Sequence, residues 1–374
     1  MTLLKMLLGR QQVTNVMLTY AGRRNYLVKF FREALRGRGQ VFAADASPEA
    51  PALRDADKSF IVPRLSHPAY IDSLLAICQL HCIRLLISPD DLELQVLARN
   101  RHRFLKVGTI AVVSSPEVTD KCFDKWMSLQ FLKSCHLDVP VTYLSLTDVR
   151  EGLARGDITL PVVIKPRWGT TSIGIEYPED WEELELGYLL ARKRIERTAL
   201  WEMSATDPGR CILVQQLLCG QEYGLDVVND LEGRHVCTLV KRKLAMRAGQ
   251  TDRAVTVNSA RLEKIGGLIG SELGHIGVLD CDVMVTEQGC YVLDMNPRLG
   301  GGYPFSHMAG ANLPAALIAW ANGEQPDRHW LQVEPNIVTS KYDSLVTVNK
   351  ELTAEDPDPA SSRIGEVHTL SHGA

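Results

Sequence analysis

Residues 294–302 read DMNPRLGGG, with an acid, an amide and a guanidinium at alternate positions ahead of three glycines. A turn needs one or two glycines and no such polar series, so Asp294, Asn296 and Arg298 are surplus to folding. Upstream, CDVMVT (281–286) and CYVLDMN (290–296) are apolar runs joined by EQG, the pattern of a β-hairpin with a tight glycine turn. In such a hairpin Asp282 and Asp294 lie close across the pair, and period-2 alternation puts Asn296 on the same side as Asp294. Two carboxylates and an amide oxygen facing one space call for a cation, and oxygen-only ligands select Mg²⁺ or Mn²⁺. The competing reading is that Asp294 and Asn296 merely cap the following loop.

A second polar group stands at the end of PVVIK (161–165), where Lys165 leaves a strand-like run beside RWGTTSIG (167–174). Gly169, Thr170, Thr171 and Ser172 give that loop small residues whose amides and hydroxyls can cover phosphates. A loop of this composition is also common in plain hairpins. Further on, VKRKLAMRAGQTDRAVTV (240–257) carries Lys241, Arg242, Lys243, Arg247 and Arg253, of which at least half are expected to be ordinary surface charge.

The elements that must position these residues alternate regularly at first. From residue 13 apolar strands (VTNVMLTYA, QVFAAD, KSFIVP, IRLLIS, TIAVVS) alternate with amphipathic helices such as NYLVKFFREALRGRG and DLELQVLARNRHRFLKVG. That order predicts a parallel sheet covered on both faces. Its first turn, TYAGRRN, has one glycine and not the three of a dinucleotide fingerprint, and Asp45 after the second strand reads equally as a ligand contact or a turn cap. VTDKCFDKWMSLQFLKSCHLDVPVTYL (118–144) predicts one capped helix and a Pro-marked strand, and LPVVIKPRWGTTSIGIEY (160–177) a strand, a turn and a second strand. β-Rich runs follow from residue 211, and the last residues, from about 353, are polar and pattern-free.

At 374 residues the chain is expected to form two or three packed units. Its 41 basic and 45 acidic side chains, net charge −4, are mixed along the sequence, so no basic face points to nucleic acid or an anionic membrane. Nine scattered cysteines read as reduced thiols, and Cys78, His81 and Cys82 as packing residues in preference to a zinc site. The short apolar run of MTLLKMLLGRQQ lacks a cleavage site, and no stretch approaches a membrane-spanning length, which gives the expectation of a cytoplasmic protein.

Taken together, Lys165 with its small-residue loop, VQQLLCGQEYGLDVV (214–228) and the DMNPR segment resemble the ATP-grasp superfamily, whose members include biotin carboxylase, the carbamoyl-phosphate synthetase large subunit and D-alanine:D-alanine ligase. The resemblance spans roughly residues 13–323 and implies an α/β and α+β fold: an N-terminal Rossmann-like parallel-sheet domain, then two lobes gripping ATP. On that basis residues 1–12 are a disordered leader, 13–114 the N-terminal domain, 115–210 the small lobe, 211–330 the large lobe with the metal site, and 331–374 a C-terminal extension with a disordered end. The resemblance puts Lys121 of TDK and Lys165 on the nucleotide, with Gly169, Thr170, Thr171 and Ser172 in the phosphate loop. It puts Gln215 and Leu217 at the adenine edge and Glu222 on the ribose.

Asp282, Asp294 and Asn296 then fall on the Mg²⁺ ligands, with Asp294 one methylene shorter than the usual Glu, and Arg298 faces the transferring phosphoryl group. Lys243 and Arg253 are the candidates for the γ-phosphate or the acceptor carboxylate. Tyr303, Ser306 and His307 would line the acceptor pocket, His307 equally a helix-start residue. The implied activity is ATP- and Mg²⁺-dependent ligation of a small-molecule or peptide carboxylate to an amine or thiol through an acyl phosphate, with small-molecule partners and a possible homodimer. The alternatives are a phosphotransferase on the same scaffold and a nucleotide-binding regulatory protein with little turnover.

Overall fold

A computed structural model describes residues 13–169, 174–198, 200–347 and 369–370. The chain starts with β1 (Asn15–Thr19), α1 (Tyr26–Leu35), β2 (Val41–Asp45), α2 (Pro51–Asp55), β3 (Lys58–Ile61), α3 (Tyr70–Leu80), β4 (Ile83–Ile87), α4 (Asp91–Lys106) and β5 (Ile110–Ala111). The five strands pair in parallel in the order β3-β2-β1-β4-β5. β1 and β2 are continuous apolar runs because both faces are covered. Val16 and Leu18 join one core cluster with Phe31 of α1, whereas Met17 joins the other with Leu74 of α3 and Leu97 of α4.

At the carboxyl ends of β1 and β4 lies a buried polar knot. The Glu93 carboxylate, with no solvent exposure, accepts hydrogen bonds from Thr19 Oγ1 at 2.9 Å and from the hydroxyls of Tyr70 and Ser88. Asp90 caps α4 by accepting from the Leu92 and Glu93 amides at 3.0 and 3.1 Å. Asp45 is a turn cap, accepting from the Ser47 amide at 2.9 Å. Cys78 is buried in the core, while His81 lies 5.2 Å from each of the Phe42 and Phe60 rings.

The segment expected to be one helix is two, α5 (Pro116–Phe123) and α6 (Lys125–Ser134). Asp124 separates them in an extended conformation and caps α6, accepting from the Trp126 and Met127 amides at 2.9 and 3.2 Å. Next come β6 (Thr142–Tyr143), α7 (Leu146–Arg155), β7 (Val162–Pro166), α8 (Trp181–Ile195), α9 (Trp201–Ser204) and β8 (Ile212–Gln216), whose strands form a small antiparallel sheet β6-β8-β7. The expected strand after the small-residue loop is a single bridge: Ile164 and Glu176 exchange backbone hydrogen bonds at 2.9 and 3.1 Å.

The remaining elements are β9 (Gln221–Asn229), β10 (His235–Arg247), β11 (Gln250–Thr256), α10 (Ala260–Leu273), β12 (Val278–Val285), β13 (Cys290–Asn296), α11 (Tyr303–Met308), α12 (Leu313–Ala321) and β14 (Val338–Ser340). They give an antiparallel sheet in the order β13-β12-β9-β10-β11-β14. In the C-terminal stretch read as pattern-free, β15 (Thr369–Leu370) adds antiparallel to the outer edge of β3. The leader 1–12 lies outside the described residues. Among those described, no helix is long and apolar enough to cross a membrane.

Burial raises Glu93 from 4.5 to about 7, against the opposing pull of its three hydroxyl donors. The native state therefore keeps the proton to higher pH than the unfolded chain does. The group's favourable contribution is complete below pH 4.5 and is lost as pH rises toward 7. In urea titrations at pH 5 and pH 8, E93Q should gain about 2 kcal/mol on the wild type between the two pH values; a constant difference would show that Glu93 is not held protonated.

Candidate active site

Three strands of the large sheet align the acids. In the β12–β13 hairpin Asp282 stands directly opposite Asp294, and Asp280 opposite Asn296. On the other side of β12, Asp282 faces Gly224 of β9 and Asp280 faces Asp226. Alternation thus brings Asp280, Asp282, Asp294 and Asn296 to one face, where they line a cleft of about 660 Å³ between the two antiparallel sheets. Asn296 Nδ2 donates to Asp294 Oδ2 at 3.4 Å.

Each acid in this row has its own cation. Lys243 Nζ sits 2.6 Å from Asp282 Oδ1 and 2.7 Å from Glu222 Oε1. Burial alone would lower Lys243, but these two carboxylates outweigh it and raise its pKa. Burial raises Asp282, and Asp280 and Glu222 add to the effect while Lys243 opposes it. Lys125, the first residue of α6, donates to Asp294 Oδ1 at 3.0 Å and to the Gly169 carbonyl at 3.1 Å. Burial pushes Asp294 up as well, yet Lys125 and Lys165 together hold it below the usual carboxylate range.

Lys165 is 9% exposed, and burial with the nearby Lys125 charge lowers it to about 8. Its ammonium lies 3.5 Å from the Leu293 carbonyl. The Arg298 guanidinium pairs with Asp91 at 2.8 and 3.0 Å and with Asp280 at 2.7 Å, so it ties the large sheet to the start of α4. Lys241, 1% exposed, pairs with Asp226 at 2.7 Å. Gly224 makes room for this lysine layer, since a Cβ there would lie 3.3 Å from Lys241 Cε and 3.6 Å from Lys243 Cε. At Gly302 a Cβ would meet Lys241 Cε at 2.7 Å, closer than packing allows.

Of the residues singled out in the sequence, the cleft lining includes Lys165, Gly169, Gln215, Leu217, Glu222, Lys243, Asp282, Asp294, Asn296 and Arg298. Gln215 turns its side chain away from the space, donating to Thr142 Oγ1 at 2.8 Å. Thr170, Thr171 and Ser172 lie outside the described residues. Lys121 is elsewhere: its ammonium covers the Phe131 ring at 4.7 Å, and the following Asp-Lys pair, Asp124-Lys125, supplies the inward lysine. Arg253 is exposed and outside the lining, on a stretch where the β10–β11 register shifts between Lys243 and Ala245 and again between Ala245 and Met246. Tyr303 is buried and bonds His307 Nδ1 at 2.8 Å, His307 stacks 3.6 Å from the Phe30 ring, and buried Ser306 donates to Asp226, so all three hold the fold together.

Sequence reading missed Lys125, Asp280, Asp91 and Arg24, which also line the cleft. Asp280 was accessible to the alternation that found Asp282; the others arrive from distant elements.

Residues 16–113 match the family model of the PylC-like N-terminal domain, and residues 209–343 that of ATP-grasp in the biosynthetic pathway with Ter operon. Residues 209–343 thus match an ATP-grasp family, and the chain has the ATP-grasp fold. It is 29% identical over 199 residues to the protein y4rH of Sinorhizobium fredii, an alignment covering 50% of this chain and 38% of that one, so the chain spans well under half of that relative's length. Among solved structures the ATP-grasp fold here is similar to biotin carboxylase from Campylobacter jejuni, with a TM-score of 0.67 and 16% identity over 86% of this chain and 74% of that one. The biotin carboxylase domain of Hydrogenobacter thermophilus 2-oxoglutarate carboxylase gives 0.67 and 16%, over 87% and 73%. L-amino acid ligase from Bacillus licheniformis gives 0.62 and 15%, over 82% and 74%.

The ATP-grasp cleft stores electrostatic tension at Lys243, whose removal leaves Glu222 and Asp282 facing each other with no cation between them. K243M should lose roughly 3 kcal/mol of stability, read by urea denaturation, and K243M/D282N should recover part of it. A K243M variant as stable as the wild type would contradict this charge balance.

Proposed function

We propose that this protein is an ATP- and Mg²⁺-dependent ligase that activates a small-molecule carboxylate as an acyl phosphate and joins it to an amine. The observation that carries the reading is the convergence of Asp282, Asp294 and Asn296 with Lys125, Lys165 and Arg298 on one cleft between two sheets. Further support comes from the relatives: the Hydrogenobacter domain was crystallised as a dimer with MgADP, ADP and bicarbonate, and the Campylobacter enzyme as a β,γ-ATP complex.

The donor set fits a hard divalent ion. Its oxygens come from two carboxylates in direct register and one neighbouring amide, and lysine ammoniums stand against both carboxylates. Bound there, Mg²⁺ would neutralise the β- and γ-phosphates. In this reading Lys165 and Lys125 hold phosphate oxygens, the second in the place that the family resemblance assigns to Lys121. Leu217 and the backbone of Gln215 border the adenine, Glu222 the ribose, and Arg298 offsets charge on the transferring phosphoryl group. Lys243 holds Glu222 and Asp282 in place.

The chemistry requires alignment and charge neutralisation rather than a side-chain nucleophile. A carboxylate oxygen attacks the γ-phosphorus, the new O–P bond forms, and the bond to the β-phosphate oxygen breaks to release ADP. The amine nitrogen then attacks the acyl carbon, the C–O bond to phosphate breaks, and the amine proton passes to solvent. Free thiols at all nine cysteines fit a reducing, cytoplasmic setting, and the implied partners are small molecules, with a homodimer as the assembly.

ADP release should require Mg²⁺, a carboxylate and an amine, and the carboxylate with hydroxylamine should give a hydroxamate; a stable phosphorylated product without amine would favour a phosphotransferase. D294A should abolish that Mg²⁺-dependent turnover, and wild-type-like turnover would remove Asp294 from the site. K165A should weaken ATP binding by more than about tenfold, or ~1.4 kcal/mol; an unchanged nucleotide titration would exclude Lys165.

A further inference from the structure

At the end of the cleft formed by Arg298, the large sheet meets the N-terminal sheet. The strand order of the latter reverses between β1 and β4. In open α/β sheets the crevice beyond the carboxyl ends of the strands at such a reversal is the place where ligands bind. Here its walls are the β1–α1 loop and the first turn of α4, which bring Arg24 and Asp91 into the cleft lining beside Asp280, Arg298 and Gly301.

The charges in this corner do not balance. Arg298 engages both nearby acids, Asp91 and Asp280. Arg24 donates to the Pro89 carbonyl, and among the described residues no carboxylate lies within 4.0 Å of it. Lys341, just past β14, reaches the same place: a Cβ on Gly301 would lie 3.9 Å from its Nζ, which sits 5.5 Å from the Phe305 ring centroid. It too lacks a carboxylate within that range among the described residues. Burial, then the charge of Arg24, pushes Lys341 down to about 8, although Asp252 and Asp280 pull the other way. Arg24 and Lys341 thus stand in a partly buried space with no carboxylate in ion-pair contact among the described residues, while Arg298 engages Asp91 and Asp280, an arrangement that costs free energy until an anion joins it. The groups that act on Arg24 include Arg298, Tyr26, Asp91, Asp280, Asp90 and Lys341, whereas those that act on Lys165 are Lys125, Asp294 and Asp282. The surplus positive charge therefore lies away from the proposed nucleotide end.

We propose that Arg24 and Lys341 form a subsite for a second anionic group of the substrate, a carboxylate or a phosphate, remote from the carboxylate that is activated. The preferred acyl donor then carries at least two negative groups: Arg298 faces the reacting one, while Arg24 and Lys341 hold the other. The absence of a side chain at Gly301 keeps the space beside Lys341 open. This inference rests on the ligase reading of the cleft, and it concerns which substrates the cleft admits.

The test is calorimetric titration of the full chain with succinate, glutarate, O-phosphoserine and, as the singly charged control, butyrate. At least one dianionic probe should bind about tenfold or more tightly than butyrate. Success with the dicarboxylates alone or with phosphoserine alone identifies the anion. R24Q and K341Q should each weaken that probe about tenfold or more, R24K should retain part of the affinity, and Mg²⁺·AMP-PNP binding should be unchanged in all three. Lys341 lies at the sheet edge, so K341Q reports on the subsite even where R24Q perturbs folding. Equal affinity for butyrate, absence of binding by every dianion, or full dianion affinity in both glutamine variants would overturn the proposal. Failure of the wild type to bind Mg²⁺·AMP-PNP would instead defeat the nucleotide reading, leaving the anion titrations to be judged by themselves.

Discussion

The repulsion between Asp282 and Asp294 is the constraint around which the rest of the cleft is arranged. Residues directly opposite in an antiparallel pair have Cβ atoms about 5 Å apart. Two unit charges at that distance repel by roughly 3 kcal/mol at an effective dielectric constant near 20. The β12–β13 register places both acids on the cleft face, so counter-charge has to come from elsewhere. It comes from two separate elements: Lys243 on β10 at 2.6 Å from Asp282, and Lys125 at the start of α6 at 3.0 Å from Asp294. Lysine serves this purpose well, because a single flexible cation can neutralise the acid and later shift toward a phosphate.

Delivering Lys125 requires its own scaffold. Asp124 caps α6 and also takes a two-pronged hydrogen bond from Arg167 at 2.7 and 2.8 Å, joining the first turn of the helix to the end of β7. Arg167 continues to Asp207 at 3.0 Å. The small sheet, the loop that begins at Gly169 and the acid-bearing hairpin are linked through this one corner. On the opposite flank Arg298 performs the equivalent task toward the N-terminal sheet through Asp91. The cleft is thus held between charged struts that start from three different parts of the chain.

What could be read in the sequence follows from how local each signal is. The hairpin acids were legible because a period of two and a short turn fix which residues face each other. The parallel N-terminal sheet was legible from its strand and helix alternation. Lys125 was obscured because an Asp-Lys pair occurs twice between residues 118 and 134, and only the break at Asp124, which splits an apparently continuous helix, turns the second of these pairs inward. Arg253 was a candidate through the family resemblance alone, and it lies exposed on a stretch of β11 whose register with β10 shifts. Tyr303 and His307 looked available beside the glycines, but Phe30 from the distant α1 packs on both, the rings 6.1 and 3.6 Å away. Pairing across such separations is set by tertiary packing, which one sequence does not encode in any local pattern.

The central claim is that the Asp282–Asp294 pair becomes a metal site when nucleotide supplies the remaining ligands. Mn²⁺ titration followed by electron paramagnetic resonance tests it most directly, with the wild type and D282N/D294N compared in the presence and absence of ADP. The account predicts that ADP increases Mn²⁺ binding by the wild type well beyond the level of Mn²⁺·ADP alone, and that the double variant loses this increase. Equal Mn²⁺ binding by the two proteins in the presence of ADP would contradict it.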